Sequence, residues 1–246
     1  MITEQTIDKL KRMRLGHFAG QAQMISTEPA FDSLTFDERF GMLVDAEWEY
    51  RQAHKTTLLH KKAGFTDPTA CVEAISYTPQ RGLDRSQILT LATCGFITAH
   101  HDIVILGQTG VGKSFIAQAL GNAACRNHHP TLYTRMTVML DDLAVAHAAG
   151  NTRQALDVFT KPELLIIDDY MLTQPSKPGV SWLLELTERR THTGSTIYCS
   201  QLAPQQWHER IEEAVLADAI LDRIINRSHL VEIQGDSMRR LHKPTW

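Results

Sequence analysis

Ile103-Val104-Ile105-Leu106-Gly107-Gln108-Thr109-Gly110-Val111-Gly112-Lys113-Ser114 is the stretch that decides the fold. Its first four residues form a continuous aliphatic run, the pattern of a strand buried on both faces. A G-x-x-x-x-G-K-S motif comes next. Beyond it Phe115, Ile116, Ala119, Leu120 and Ala123 predict a helix to about Asn127, with these residues on one face. Strand, glycine-rich loop and helix in that order are the context a phosphate-binding P-loop requires. A glycine-rich turn with an exposed lysine fails that test. Gly107, Gly110 and Gly112 let the backbone curl so that its N–H groups converge on one point. The helix adds the positive end of its dipole. Lys113 reaches the β and γ phosphates, and the Ser114 hydroxyl is placed to ligate magnesium. The whole loop, Gly107, Gln108, Thr109, Gly110, Val111, Gly112, Lys113 and Ser114, is therefore a predicted site for ATP with Mg2+.

Downstream, short β-branched runs alternate with helical segments. Strands are predicted over Thr131–Thr134, Leu164–Ile167 and Ser195–Cys199, and helices over Thr137–Ala149 and Val180–Arg190. This alternation calls for a parallel sheet with helices on both faces. The run Leu164–Ile167 ends in Asp168-Asp169, which places two carboxylates at the ligand-binding edge of such a sheet. Asp168 is expected to hold magnesium, through water, and Asp169 to polarise the attacking water. Gln201, just past the last predicted strand, reads either as a γ-phosphate or water contact or as an amide in a capping turn before Pro204. Arg223 reads either as an arginine supplied to a neighbour's nucleotide or as a surface ion-pair residue.

Upstream of residue 98 the pattern is helical and charged. One short helix is predicted over Thr6–Gly20 and another over Ser86–Ala99. Between them Thr35-Phe36-Asp37-Glu38 resembles a helix start, and a long helix runs from it to about Ala63. Its last third carries Arg51, Lys55, Lys61 and Lys62, either a phosphate-contacting patch for DNA or a solvated helix end. The change in character divides the chain into residues 1–98, a helical domain for DNA or partner binding, and residues 99–246, the ATPase domain.

The 246 residues are 43% hydrophobic and 22% charged with a formal net charge of −3, so DNA contact requires a local basic patch. The four cysteines are widely spaced and argue for free thiols. The N-terminus lacks the apolar centre of a secretory signal, and no apolar run approaches the roughly 18 residues of a membrane span. A cytoplasmic location without membrane contact is expected. The adjacent pairs His100-His101 and His128-His129 point in different directions and read as loop residues rather than metal ligands. Trp182 and Trp207 fall in helical patterns and read as packing residues.

The later motifs give the chain a resemblance to the IstB-like ATP-binding proteins, helper ATPases of bacterial insertion sequences related to the DnaC helicase loader within the AAA+ group. The resemblance rests on Leu34–Phe40 with Glu47-Trp48 and Arg51, and on Pro79-Gln80-Arg81-Gly82-Leu83-Asp84-Arg85. It also rests on Lys161-Pro162-Glu163-Leu164 leading to Asp168-Asp169, Ser200-Gln201 with Trp207-His208-Glu209, Ala217–Arg223, and Gly235-Asp236-Ser237-Met238-Arg239. It implies a P-loop AAA+ fold of three layers, with a small all-helical N-terminal domain and a reduced C-terminal lid. It implies assembly as a homo-oligomer on double-stranded DNA, with ATP at subunit interfaces and a transposase of the same element as partner. Arg223 is then the arginine finger and Arg239 a further nucleotide sensor. The Asp168-Asp169 pair departs from the Asp-Glu common in AAA+ proteins, and its shorter second carboxylate implies slow intrinsic hydrolysis. A replicative helicase loader of the DnaC kind is the competing expectation.

Overall fold

The computed structural model describes residues 3–238, so Arg239 lies outside the described residues. The chain divides into two compact units, Met1–Leu58 and Leu59–Trp246.

The first unit is helical. It comprises α1 (Glu4–Arg12), α2 (Gly16–Thr27) and most of α3 (Phe36–Lys62). The single helix expected over Thr6–Gly20 is two helices. Arg14 takes a left-handed φ of 60°, and the Arg14 and Leu15 N–H groups turn back to the Lys11 and Leu10 carbonyls, which closes α1. The expected start of α3 is present as a capping box: Thr35 N–H donates to Glu38 Oε2 at 2.8 Å, and Glu38 N–H to Thr35 Oγ1 at 3.3 Å. Glu47 is buried inside this unit and accepts from Phe18 N–H at 2.8 Å and Arg51 Nε at 2.7 Å.

The second unit is a five-stranded parallel sheet. Its strands are β1 (Asp102–Gly107), β2 (Thr131–Arg135), β3 (Leu164–Asp168), β4 (Ser195–Ser200) and β5 (Ser228–Ile233), in the order β2-β3-β4-β1-β5. Alternate residues face opposite sides, as the pleat requires. Ile103, Ile105, Leu164, Ile166, Ile197, Cys199, Val231 and Ile233 enter one core. That core is completed by α6 (Lys113–Arg126), by α4 (Arg85–Ala92) and α5 (Gly95–Thr98), and by Ala70, Val72 and Ile75. Val104, Leu165, Ile167 and Tyr198 enter the other. Its helices are α7 (Met136–Ala148), α8 (Thr152–Thr160), α9 (Lys177–Arg190), α10 (Pro204–Arg210) and α11 (Ala214–Ile225). Residues 59–98, helical and charged in sequence, thus pack with the sheet. The helix expected over Ser86–Ala99 is interrupted at Cys94, whose φ of 65° separates α4 from α5. Among the described residues no helix is long and apolar enough to cross a membrane.

Trp207 on α10 ties this second layer to the end of β4. Its fully buried indole packs edge-on against Tyr170, with ring centres 4.8 Å apart. Its N–H donates to the Leu202 carbonyl at 2.8 Å and to Ser200 Oγ at 3.0 Å, on either side of Gln201. Trp207→Ala should therefore lower unfolding free energy by about 3–5 kcal/mol, as loss of a fully buried aromatic does. Denaturant titration would check this, and a cost below about 1 kcal/mol would contradict it.

Candidate nucleotide-binding site

Three neighbouring strands end at one edge of the sheet. β1 pairs with β4 so that Leu106 lies beside Ser200, and β4 pairs with β3 so that Tyr198 lies beside Ile167. The P-loop after β1, Gln201 after β4 and Asp168-Asp169 at the end of β3 are brought together by that pairing. Gly107 leaves β1 where a Cβ would stand 2.5 Å from the Ile233 carbonyl oxygen of β5, so only glycine fits. Gly112, with a left-handed φ of 103°, turns the loop into α6, whose first residue is Lys113.

The loop borders a cavity of about 450 Å3 lined by Thr109, Gly110, Gly112, Lys113, Ser114, Asp169 and Gln201. The Lys113 ammonium donates to the Gly107 and Gln108 carbonyls at 2.7 and 2.8 Å, which holds it at the loop's mouth. Thr109 Oγ1 donates to Gln201 Oε1 at 2.7 Å, so the amide that ends β4 is tied directly to the phosphate loop. Of the two carboxylates, Asp169 faces the cavity, and its Oδ2 lies 4.0 Å from Arg135 Nε. Asp169 holds a left-handed φ of 53°, the turn that swings its side chain off the strand line. Asp168 is buried at the strand end. Its Oδ1 accepts the Asp169 N–H at 2.9 Å, and its Oδ2 accepts the Tyr133 hydroxyl at 2.7 Å.

Some participants carried no signal in the sequence. Tyr133, on β2 beside β3, is a buried phenol whose pKa is raised by burial and by the adjacent Asp168 carboxylate. It stays a hydrogen-bond donor to that carboxylate. Asp67, Phe115, Gln118 and Met238 also line the cavity. Gln118 Oε1 accepts the Asp67 N–H at 2.8 Å and so anchors the loop before α4 to α6. No local pattern marks Asp67 or Tyr133, because each acts across a long stretch of chain.

The remaining expected site residues lie elsewhere. Arg223 is on α11, where it donates to the Ala219 carbonyl at 2.8 Å and to Glu188 Oε1 of α9 at 3.0 Å. Arg51 is paired with Glu47 and donates to the Arg14 carbonyl at 3.0 Å, while Lys55, Lys61 and Lys62 are exposed.

Residues 8–245 match the family model of the IstB-like ATP binding protein. An insertion-sequence ATP-binding protein of Sinorhizobium fredii is 34% identical over 244 residues, covering 99% of this chain and 98% of its own length. An insertion-sequence ATP-binding protein of Pseudomonas fluorescens is 37% identical over 202 residues, covering 82% and 87%. Among solved structures, DnaI superposes with a TM-score of 0.58 at 19% identity, over 68% of this chain and 92% of that one. DnaA of Aquifex aeolicus bound to AMPPCP gives 0.59 at 18%, over 71% of this chain and 53%, about half, of that one. At these identities the two structures bear on the fold alone, and they agree with the five-stranded parallel sheet described above.

Two substitutions separate the roles of the loop and the strand end. Lys113→Ala removes the ammonium held at the loop's mouth and should cut ATP turnover at least about 100-fold. Tyr133→Phe leaves Asp168 Oδ2 without its donor and should lower turnover several-fold with the P-loop intact. A steady-state phosphate-release assay reads both, and wild-type rates for Lys113→Ala would refute the site.

Proposed function

The chain belongs to the IstB-like ATP binding protein family and is a P-loop ATPase, and on that premise we propose that it is a DNA-binding helper ATPase that oligomerises on duplex DNA and assists a transposase. The observation that carries the oligomeric part is the charge inventory of the cavity. Among its described lining residues Lys113 is the one lysine or arginine. Phosphoryl transfer spreads negative charge over the departing and transferred groups, and P-loop enzymes commonly meet it with an arginine as well as the lysine. Arg223 stands on the surface of α11, where a second subunit's cavity would receive it.

Magnesium suits the donor set. Ser114 offers a hydroxyl and Asp168 a carboxylate, while the described residues contain no group of three His, Cys, Asp or Glu that would cage a metal unaided. Magnesium typically takes one or two protein oxygens and completes its shell with phosphate and water. When bound it would neutralise phosphate charge. Lys113 would hold the β and γ phosphates, Asp169 would orient the attacking water, and Gln201 would sense the terminal phosphate through Thr109. Arg239 is proposed as a further nucleotide contact. The exposed lysines Lys55, Lys61 and Lys62, with Arg51, are proposed to meet DNA phosphates, which carry affinity without base preference.

Turnover per subunit should then rise with protein concentration. Arg223→Ala should bind ATP but lose about 10^3-fold in turnover. Mixing it with Lys113→Ala should restore part of the activity, since one mixed interface joins an intact P-loop to an intact Arg223. A flat dilution series with no rescue would leave Arg223 as the partner of Glu188 alone.

For the DNA surface, replacing Arg51, Lys55, Lys61 and Lys62 by Ala should weaken duplex binding. It should also flatten the slope of log affinity against log salt by as much as about 3–4, near 0.9 for each phosphate no longer neutralised. Polarisation titrations of a labelled duplex across a salt series check this, and an unchanged slope would remove the patch from the interface.

A further inference from the structure

We infer that Arg81 is a positioning residue for the nucleotide, one that aims a P-loop N–H at the phosphates from behind the loop. The inference rests on the P-loop being the ATP site. Arg81 ends a 3-10 turn over Pro79–Arg81 and is buried, with 7% of its surface exposed. Its Nη2 donates to the Val111 carbonyl at 2.7 Å, and its Nη1 to the Ser76 carbonyl at 2.7 Å. Among the described residues it forms no ion pair.

The consequence lies in peptide geometry. A trans peptide points its C=O and the following N–H in opposite directions, and the described chain has no cis bond. With the Val111 carbonyl drawn to Arg81, the Gly112 N–H must face the other way, into the cavity that Gly112 lines. The Met238 N–H donates to the Gly110 carbonyl at 2.9 Å, which sets the Val111 N–H by the same rule. Thus two successive N–H groups of the loop are aimed by partners far away in sequence. The guanidinium lies so close that a Cβ on Gly112 would stand 2.9 Å from Nη2. The Arg81 carbonyl in turn accepts the Gln234 N–H at 3.0 Å, which joins the two outlying segments behind the loop.

A buried cation with only carbonyl partners is costly to desolvate. A phosphate chain on the other side of one peptide plane supplies the missing opposite charge. Arg81 should therefore matter for nucleotides in proportion to the phosphates that reach the loop, and it should act on affinity far more than on the chemical step.

Calorimetric titration of the full chain with ATP, ADP and AMP, alongside steady-state kinetics and thermal melting, tests this. Arg81→Met should raise Kd for ATP and ADP, and KM for ATP, by about tenfold. It should leave AMP affinity within about twofold and lower turnover at saturating ATP far less than affinity. Arg81→Lys keeps the charge but loses the planar fork that meets the Ser76 and Val111 carbonyls together. It should lose about threefold on ATP and ADP, and it carries the test if the methionine variant does not fold. Unchanged ATP affinity in the folded variants would overturn the inference. Equal losses for ATP and AMP in step with a lowered melting temperature would also overturn it, leaving Arg81 a structural residue. A wild-type chain that bound ATP no better than Lys113→Ala would instead overturn the P-loop assignment, and this inference with it.

Discussion

The parallel pairing of β1 with β4 and of β4 with β3 is the constraint on which the site depends. Parallel strands share a direction, so their C-terminal ends lie on one edge, and the residues after each strand arrive at the same place. The phosphate loop, an amide and two carboxylates become neighbours without any local sequence linking them. β3 and β4 are buried along their whole length, and β1 over its first four residues. A one-residue slip would move Ile103, Ile105, Ile166 and their neighbours into the wrong core, which gives the register strong protection.

That edge then imposes a second demand, a backbone whose polar groups all have partners. Carbonyls turned outward by the P-loop are met by donors beyond the sheet. Val111 is served by Arg81 and Gly110 by Met238. At the strand end, Asp168 is held between its neighbour's N–H and the Tyr133 hydroxyl. A buried carboxylate fixed at both oxygens loses little freedom when it meets a ligand, the preorganisation on which electrostatic catalysis relies. Asp169, one residue on and turned out by its left-handed φ, lines the cavity.

The parts legible in the sequence were those whose chemistry is local. Ile103–Ser114 carries a strand, its loop and a helix start in twelve consecutive residues, and Leu164–Asp169 ends an apolar run in acids. The legible signals failed where the chain breaks its own pattern. Arg14 and Cys94 enter the left-handed region without being glycine, so the helices they end read as continuous. The edge strand β5 mixes exposed His229, Leu230 and Glu232 with buried Val231 and Ile233, too weak an alternation to stand out. The short helices α8 and α11 are set by packing on the sheet, since neither has a side-chain N-cap from its own Ncap residue. Asp67, Arg81 and Tyr133 reach the site through partners 30 or more residues away, from Asp67 to Gln118, Arg81 to Val111 and Tyr133 to Asp168, which no local window contains.

Arg223 is where the isolated chain and the proposed assembly place different demands on one side chain. In the chain it bridges α11 to Glu188 of α9, with side chains 34% and 49% exposed. A pair so open to solvent contributes about 0–1 kcal/mol, because water screens the attraction and both chains lose rotamer freedom. Such a contact sets the resting direction of the guanidinium without holding it against a stronger demand. A nucleotide's phosphates in a desolvated interface would make that demand, since charge-assisted hydrogen bonds there are roughly twice as strong as neutral ones. Its bond to the Ala219 carbonyl, one turn back on α11, adds little more resistance. The Glu188 pairing is therefore compatible with service to a neighbouring subunit: a weak intramolecular ion pair parks a charge that a stronger intermolecular one can withdraw.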